Sequence, residues 1–178
     1  MNSRERMLTA LRHREPDRVP IDFGGGPTGI EVGAYDPLKA LLGFRSQTKT
    51  FVRDHVDVDE PILERFGVDT RYLRAGAPRG FQVHMDPDNS YVDIWGTRWK
   101  KPPSSFYYDM VGYPIHEPTL DALKSYRWPD PRDPGRTDGL RERAKMLSEK
   151  TNYAIVLDVT GFGVFEQGWA LRGFQDFL

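Results

Sequence analysis

Acidic side chains at the ends of two predicted strands carry the strongest signal for chemistry in this chain. Asp22 lies at the end of a short apolar run, and Asp158 directly follows the apolar residues 154–157. In (β/α) barrels the catalytic groups come from the carboxyl ends of the strands. We therefore predict Asp158 and Asp22 as catalytic carboxylates. The structural alternative is that each caps backbone N–H groups or forms an ion pair.

A second set of residues has the properties of a binding surface. Gly24 and Gly25 follow Asp22, and without side chains they allow a ligand to approach the backbone closely. Asp69 and Arg71 are two residues apart on a predicted strand, so their side chains point to the same side. There they either pair with each other or bind a ligand carboxylate. We predict these two glycines, Asp69 and Arg71 as substrate-binding residues.

Two further motifs give weak signals. His55 and His84 each stand two positions before an aspartate, a spacing that suits a metal ion, but no third ligand stands out and no metal site is predicted. The loop Gly161–Gly163 precedes a predicted helix, as an anion cradle does. However, the third glycine of the dinucleotide-binding pattern falls on Glu166. We interpret the loop as close packing of a helix on a strand.

The composition excludes several classes of protein. The 178 residues carry 25 Lys+Arg and 26 Asp+Glu, a formal charge of −1, whereas non-specific nucleic-acid binders need a basic excess. No apolar stretch has the length of a membrane span, and the charged residues 1–12 lack the apolar core of a signal peptide. The absence of cysteine excludes disulfides within the chain. We expect a cytoplasmic protein that binds neither nucleic acid nor membrane.

Local patterns predict the elements that must position these residues. In the first half they are a helix over 3–13, a buried strand over 19–23, helices that start at Asp36-Pro37 and Asp59-Glu60-Pro61 and end at Gly43 and Gly67, and a strand over 68–73. In the second half they are a β-hairpin over 81–99 with a bend at Gly96, a short helix over 119–126, a helix capped by Thr137 and Asp138, a strand over 153–158 and a final helix over 164–178.

This alternation of strands and helices favours a parallel sheet. Three such strands give the apolar strand over 153–157 too few neighbours to bury both its faces. A (β/α)8 barrel takes roughly 250 residues, so we predict an α/β fold over residues 1–178, the N-terminal portion of a (β/α)8 TIM barrel with a β-hairpin insertion. A smaller open α/β sheet also fits. The exposed edges of an incomplete barrel would favour a homo-oligomer.

Motifs along nearly the whole chain resemble those of one family. They are Ser3–Leu11, Glu15–Pro20, Leu63–Arg71, Asp93–Gly96, Trp128–Pro131 and Glu166–Leu178. Together they are similar to the N-terminal half of uroporphyrinogen decarboxylase-like (URO-D domain) proteins. The chain most resembles the branch that includes corrinoid-linked methyltransferases acting on methanol, methylamines and aryl methyl ethers.

The decarboxylases of this family follow the first strand with an Arg-Gln-Ala-Gly-Arg-Tyr motif, whose arginines hold the carboxylates of the tetrapyrrole. Here that loop spans Asp22–Gly29 and contains neither arginine. The family's pyrrole-binding aspartate corresponds to Ala75 or Gly76, and its active-site tyrosine corresponds to Trp169, which the resemblance makes a substrate-binding residue. The resemblance therefore favours a methyltransferase over a lyase of porphyrin biosynthesis.

The methyltransferase branch resembles zinc enzymes whose His and Cys ligands lie in later strands. Zinc lowers the pKa of a thiol, which then attacks a corrinoid-bound methyl group. The resemblance implies no cofactor within these residues, zinc and a corrinoid for the full-length family member, and a small molecule or a corrinoid protein as substrate. Two alternatives stay open, a uroporphyrinogen decarboxylase and a non-catalytic half-barrel that binds a partner.

Overall fold

The computed structural model describes residues 1–158 and 163–178, which divide into two compact units. The first unit comprises the described parts of Met1–Ala75 and Gly139–Val159, and the second those of Gly76–Asp138 and Thr160–Leu178. Helices and small sheets alternate along the chain, so the fold is α/β, and no sheet of the described residues closes into a barrel. No helix within these ranges has both the length and the apolar character needed to cross a membrane.

Within residues 1–158 and 163–178, fourteen helices and strands and one 3-10 turn (Pro134–Arg136) follow one another along the chain. They are α1 (Ser3–Leu11), α2 (Val32–Leu42), β1 (Thr50–Val52), β2 (His55–Val56), α3 (Glu60–Arg65), β3 (Thr70–Arg74), β4 (Ser90–Val92), β5 (Arg98–Lys100), β6 (Asp109–Gly112), α4 (Leu120–Ser125), α5 (Leu140–Lys150), β7 (Ala154–Asp158), α6 (Val164–Arg172) and α7 (Phe174–Phe177).

The strands β3 and β7 of the first unit pair in parallel, as the βαβ pattern predicts. Their register runs from Thr70 opposite Ala154 to Arg74 opposite Asp158. The helices α1 and α5 pack against this pair. The burial of β7 is incomplete, because Leu157 is 58% exposed. This small parallel sheet fixes the positions of the side chains at its carboxyl end.

The prediction of a buried strand over 19–23 is wrong. Pro20 has no backbone N–H, and the N–H of Ile21 is donated to the Asp69 carboxylate at 2.8 Å. The backbone pairing given for this segment in the described residues is one hydrogen bond, from Asp69 N–H, just before β3, to the Ile21 carbonyl at 2.8 Å. Val19 is 80% exposed. The Asp69 side chain thus replaces part of the backbone pairing.

The helices of the first unit begin and end for identifiable reasons. The capping box predicted for α1 is present, since Asn2 and Glu5 exchange side-chain to backbone hydrogen bonds at 2.9 Å. The helix α2 starts at Val32, four residues before the predicted Asp36 cap, and keeps Pro37 inside it. This longer helix buries Tyr35 completely in the core. Gly43, in the left-handed conformation, ends α2 as predicted.

An apolar cluster around α2, β2 and α3 forms the core of the first unit. Its buried members come from α2, β2, α3 and the residues between them, and they are Tyr35, Val56, Val58, Ile62, Leu63 and Val68. Phe23 packs against this cluster. The cluster therefore supports both the loop after Phe23 and the N-terminal end of β3.

The second unit holds a three-stranded antiparallel sheet, β4-β5-β6, where a two-stranded hairpin was predicted. The turn at Gly96 is in the left-handed conformation, as its place at a bend requires. Trp99 is 5% exposed, and its indole donates to Asp93 at 2.8 Å. The helix α4 lies within the predicted range 119–126, and the side chain of its N-cap, Thr119, accepts from Ala122 N–H at 3.1 Å.

Two helix boundaries in the second half differ from the predictions. The helix α5 begins after Gly139, in the left-handed conformation, and Thr137 and Asp138 do not cap it. The final helix breaks at Gly173, with φ of +90°. A β-carbon on Gly173 would lie 2.7 Å from Cε1 of Tyr113. The close approach of a tyrosine ring therefore explains both the glycine and the break.

Candidate functional site

The carboxyl ends of β3 and β7 bring a cation and a predicted catalytic carboxylate together. Arg74 and Asp158 are the last residues of the two strands and lie opposite each other in the parallel register. The Nε atom of Arg74 lies 4.0 Å from Oδ2 of Asp158, whose side chain is 17% exposed. Residues at matched positions of adjacent strands project from the same face. Asp158 is therefore a half-shielded carboxylate beside a guanidinium.

Asp22 lies beside the same strand and accepts hydrogen bonds from three hydroxyl groups. Its Oδ2 accepts from Tyr72 at 2.7 Å and from Thr28 at 3.0 Å, and its Oδ1 accepts from Thr70. Burial and the hydrogen bond to Asp22 raise the pKa of Tyr72 to about 12, so the phenol is a proton donor at neutral pH. Asp22 thus joins its own loop to β3 through hydroxyl groups, and not through the backbone N–H groups or the ion pair of the structural alternative.

Arg74 is a site residue that the sequence analysis missed. It donates from Nη1 to Asp57 at 3.0 Å and from Nη2 to the Gly24 carbonyl. Its guanidinium lies 3.9 Å from the ring centre of Phe51, and its buried Nε has no hydrogen-bond partner within the part of the chain that the structure describes. Arg74 was missed because the predicted strand ends at Leu73, one residue before the end of β3. The strand alternation of Thr70, Tyr72 and Arg74 is the signal that would have found it.

The predicted substrate-binding residue Asp69 is fully buried and surrounded by donors. It accepts from Arg6 at 2.6 Å, from Arg18 at 2.8 and 3.0 Å, and from Ile21 N–H at 2.8 Å. Burial alone raises the pKa of Asp69, but hydrogen bonds from Ile21 N–H, Ser3, Arg18 and Arg6 outweigh it, so that pKa lies below its ordinary value. These contacts join the loop before residue 22 to the start of β3.

Arg71, the other member of the predicted pair, takes different partners. It binds Glu60 at 2.6 and 2.9 Å, and it donates to the carbonyls of Val68 and Thr70 at 3.1 and 2.7 Å. Its guanidinium lies 3.5 Å from the ring centre of Tyr153. Arg71 is only 2% exposed, and its hydrogen bonds are made within the protein. Substrate binding by Asp69 and Arg71 stays a prediction.

A cleft of about 260 Å³ opens at this end of the first unit. It includes predicted Gly24 and Arg71 in its lining, and its other lining residues are Phe23, Lys49, Asp57, Val58, Asp59, Glu60, Leu63, Thr70, Tyr72, Arg74 and Arg143. Lys49 and Arg143 come from the two separate chain segments that form the first unit, and no sequence motif marks either of them. Only the folding of α5 back onto β3 could place Arg143 here.

The glycines after Asp22 are required by the chain's own packing. Gly24 is in the left-handed conformation at φ +95°. A β-carbon on Gly25 would fall on the Tyr72 ring, 2.7 Å from Cε1. The close approach that the sequence predicts for a ligand is thus made at Gly25 by the phenol of Tyr72.

We expect Gly25→Ala to lower the free energy of unfolding by about 1 to 2 kcal/mol, because the added methyl group must displace the half-buried Tyr72 ring and its hydrogen bond to Asp22. Urea unfolding followed by circular dichroism measures this. Gly33→Ala is the matched control, since Gly33 lies in α2 with open space around it, and alanine there should stabilise by about 0.5 to 1 kcal/mol. Equal midpoints for Gly25→Ala and wild type would contradict this packing.

The remaining predicted residues lie elsewhere or outside the described residues. Trp169 belongs to the second unit, where its ring packs edge to face on Phe174 with ring centres 6.0 Å apart. The Gly161–Gly163 loop falls largely outside the described residues. His55 Nδ1 lies 3.1 Å from Glu31, so its nearest acidic neighbour is not the Asp57 of the sequence motif.

The described residues do not fit a zinc site. Within 1–158 and 163–178, no group of three or more His, Asp or Glu side chains is placed to hold a metal ion. We therefore assign no step to a metal in this part of the protein.

Comparisons with known proteins do not name a family. No model of a protein family, no curated protein and no solved structure matches this chain. We therefore infer the function from the residues and geometry described above.

Proposed function

We propose that this chain is the N-terminal part of a URO-D-like (β/α)8 barrel of the corrinoid-linked methyltransferase branch, and that its first unit forms part of the substrate-binding end. The parallel pair β3 and β7, with α5 between them in sequence and packed on both, supports this proposal. In such barrels the reaction takes place at the carboxyl ends of the strands. The sequence resemblance described above gives the family and the branch.

The observation that carries the proposal is the convergence of Asp22, Tyr72, Arg74 and Asp158 at that end. Asp22 is bound by the Tyr72 hydroxyl at 2.7 Å, and Asp158 stands 4.0 Å from Arg74. The group thus combines two carboxylates, a protonated phenol and a guanidinium. Such side chains can orient a polar substrate and move a proton.

The loop Asp22–Gly29 favours the methyltransferase over the decarboxylase. The decarboxylases that the chain resembles hold the carboxylates of the tetrapyrrole with two arginines in this loop. The loop of this chain contains neither arginine.

A partner-binding module is the second candidate, and the open side of β7 favours it. Within the described residues β7 pairs with β3 alone, and Leu157 is 58% exposed. An unpaired strand edge with apolar side chains is a surface for association. Light scattering on the purified chain tests this candidate, which predicts a single oligomer of fixed stoichiometry.

Methyl transfer is tested on the protein encoded by the whole reading frame that contains these residues. We expect it to carry the methyl group of methylcob(III)alamin to a small thiol, with release of cob(I)alamin, which absorbance spectroscopy follows. Asp158→Asn and Asp22→Asn should each slow the transfer at least about tenfold, because each loses a negative charge at the reacting end.

Glu64→Gln is the control for both variants, because this exposed glutamate of α3 does not line the cleft. Its rate should equal that of the wild type. Release of CO2 from uroporphyrinogen by the same preparation, with no methyl transfer, would instead support the decarboxylase.

A further inference from the structure

The carboxylates that line the cleft are already bound by groups of the protein. Asp57 accepts from Arg74 at 3.0 Å, and Glu60 accepts from Arg71 at 2.6 Å. Asp59 accepts from the Tyr35 hydroxyl at 2.8 Å. Each of these carboxylates therefore has a partner within the protein, and the guanidinium groups of Arg74 and Arg71 offset the charge of Asp57 and Glu60.

Two cations of the same lining have no such partner. Lys49 and Arg143 are exposed, and neither side chain makes a hydrogen bond or ion pair with any residue of 1–158 or 163–178. The lining carries four cations and three carboxylates, so one positive charge is left unbalanced. Lys49 and Arg143 can therefore donate hydrogen bonds to an anion that enters the cleft.

The rest of the lining provides an apolar surface next to these cations. Phe23, Val58, Leu63 and the Tyr72 ring all line the cleft. Seven of the thirteen described lining residues are charged, so the apolar part of the cleft is small and suits a ligand that joins one anionic group to a compact apolar body. The volume of about 260 Å³ limits the ligand to a compact molecule.

We propose that this cleft binds a small organic anion, with an apolar body against Phe23 and Tyr72 and a carboxylate or phosphate group held by Lys49 and Arg143. The proposal names the substrate class for the proposed function and depends on that function only in treating the bound anion as a substrate. A guanidinium and an ammonium both form charge-assisted hydrogen bonds with either anionic group.

The test is an NMR titration of the full chain, following the backbone amides of Thr70–Arg74. The probes share a phenyl body and differ in the head group: benzoate, phenyl phosphate and neutral benzyl alcohol. We expect saturable binding of at least one anion, no saturable binding of the alcohol, and weaker binding of the anion at high salt. Comparison of the two anions shows which head group the cleft prefers.

Neutralising either cation should weaken binding of the preferred anion. We expect the affinity for the anion to fall about fivefold in Lys49→Gln and in Arg143→Gln. This loss corresponds to the upper end of the free energy that an exposed ion pair contributes. Both residues are exposed, so these substitutions should leave the fold intact. Arg141→Gln and Arg45→Gln are the matched controls, because both residues are exposed, carry the same charge and do not line the cleft.

Three results would overturn the proposal: no saturable binding of either anion, equal binding of benzyl alcohol, or equal losses in the control variants. No corrinoid is present in this titration. A protein that binds benzoate but transfers no methyl group would therefore contradict the proposed function and leave the anion site supported. A protein that transfers the methyl group but binds neither anion would contradict the anion site and leave the proposed function supported.

Discussion

Replacing Asp69 with asparagine should lower the free energy of unfolding by about 3 kcal/mol, the largest effect that we expect of any single substitution in this chain. Asp69 is completely buried and accepts from Arg6, Arg18 and the Ile21 N–H. Asparagine has nearly the same shape, but it removes the negative charge and turns an N–H₂ group toward these donors. The expected loss in the free energy of unfolding lies near the lower end of the range of about 3 to 5 kcal/mol for a broken buried ion pair. The reason is that Arg6 still has its ion pair with Asp17, at 2.6 Å.

Urea unfolding monitored by circular dichroism measures this effect, with Glu64→Gln as the charge-matched control. Glu64 is exposed on α3, so its substitution should change the free energy of unfolding by less than about 0.5 kcal/mol. A wild-type midpoint for Asp69→Asn would show that the buried contacts do not stabilise the first unit.

The same substitution should also change the pH dependence of stability. The pKa of Asp69 in the folded protein lies below its ordinary value near 3.8, so its contribution is complete above that pH and is lost as the pH falls through the lower folded value. The wild type should therefore lose stability steeply below pH 3.8. Asp69→Asn should show a shallower loss over the same pH range in unfolding measurements.

Arg71→Gln should lower the free energy of unfolding by about 2 kcal/mol, the second largest effect that we expect. The guanidinium is 2% exposed, donates to the carbonyls of Val68 and Thr70, and stacks on Tyr153. Glutamine cannot reach all these partners, and a buried carbonyl left without a donor costs about 1 to 3 kcal/mol. Arg71→Lys should lose nearly as much, since an ammonium has no planar fork.

Arg14→Gln is the control for Arg71→Gln, because Arg14 is exposed and belongs to the same unit. The comparison also separates the two roles open to Arg71. A variant with wild-type stability that no longer binds benzoate or phenyl phosphate would make Arg71 a ligand-binding residue. A destabilised variant that still binds the anion would make it a structural one.

The local parts of the fold were predictable from the sequence where short-range chemistry determines them. The capping box of Asn2 and Glu5, the helix end at Gly43 and the bend at Gly96 all formed as predicted. Each depends on hydrogen bonds or backbone conformations within a few residues. The parallel pairing of β3 with β7 followed from the alternation of helical and strand patterns.

The errors occurred where contacts between distant residues replaced local ones. Residues 19–23 have the apolar pattern of a strand, but the Asp69 carboxylate binds the Ile21 N–H. The pattern at Asp36-Pro37 predicts a helix start, but burying Tyr35 extends α2 back to Val32. In each case tertiary contacts outweigh a local preference of about 1 kcal/mol.

The sequence by itself determined which residue types stand at the strand ends, and so it identified Asp22 and Asp158 as candidates. The partners of these carboxylates were decided by tertiary structure alone. Tyr72 binds Asp22 from 50 residues away, and Arg74 meets Asp158 through the register of two strands. Likewise Lys49 and Arg143 share one cleft only because α5 packs on β3. Charge and hydrogen-bond capacity are properties of single residues, whereas pairing depends on distance, which only the packed chain sets.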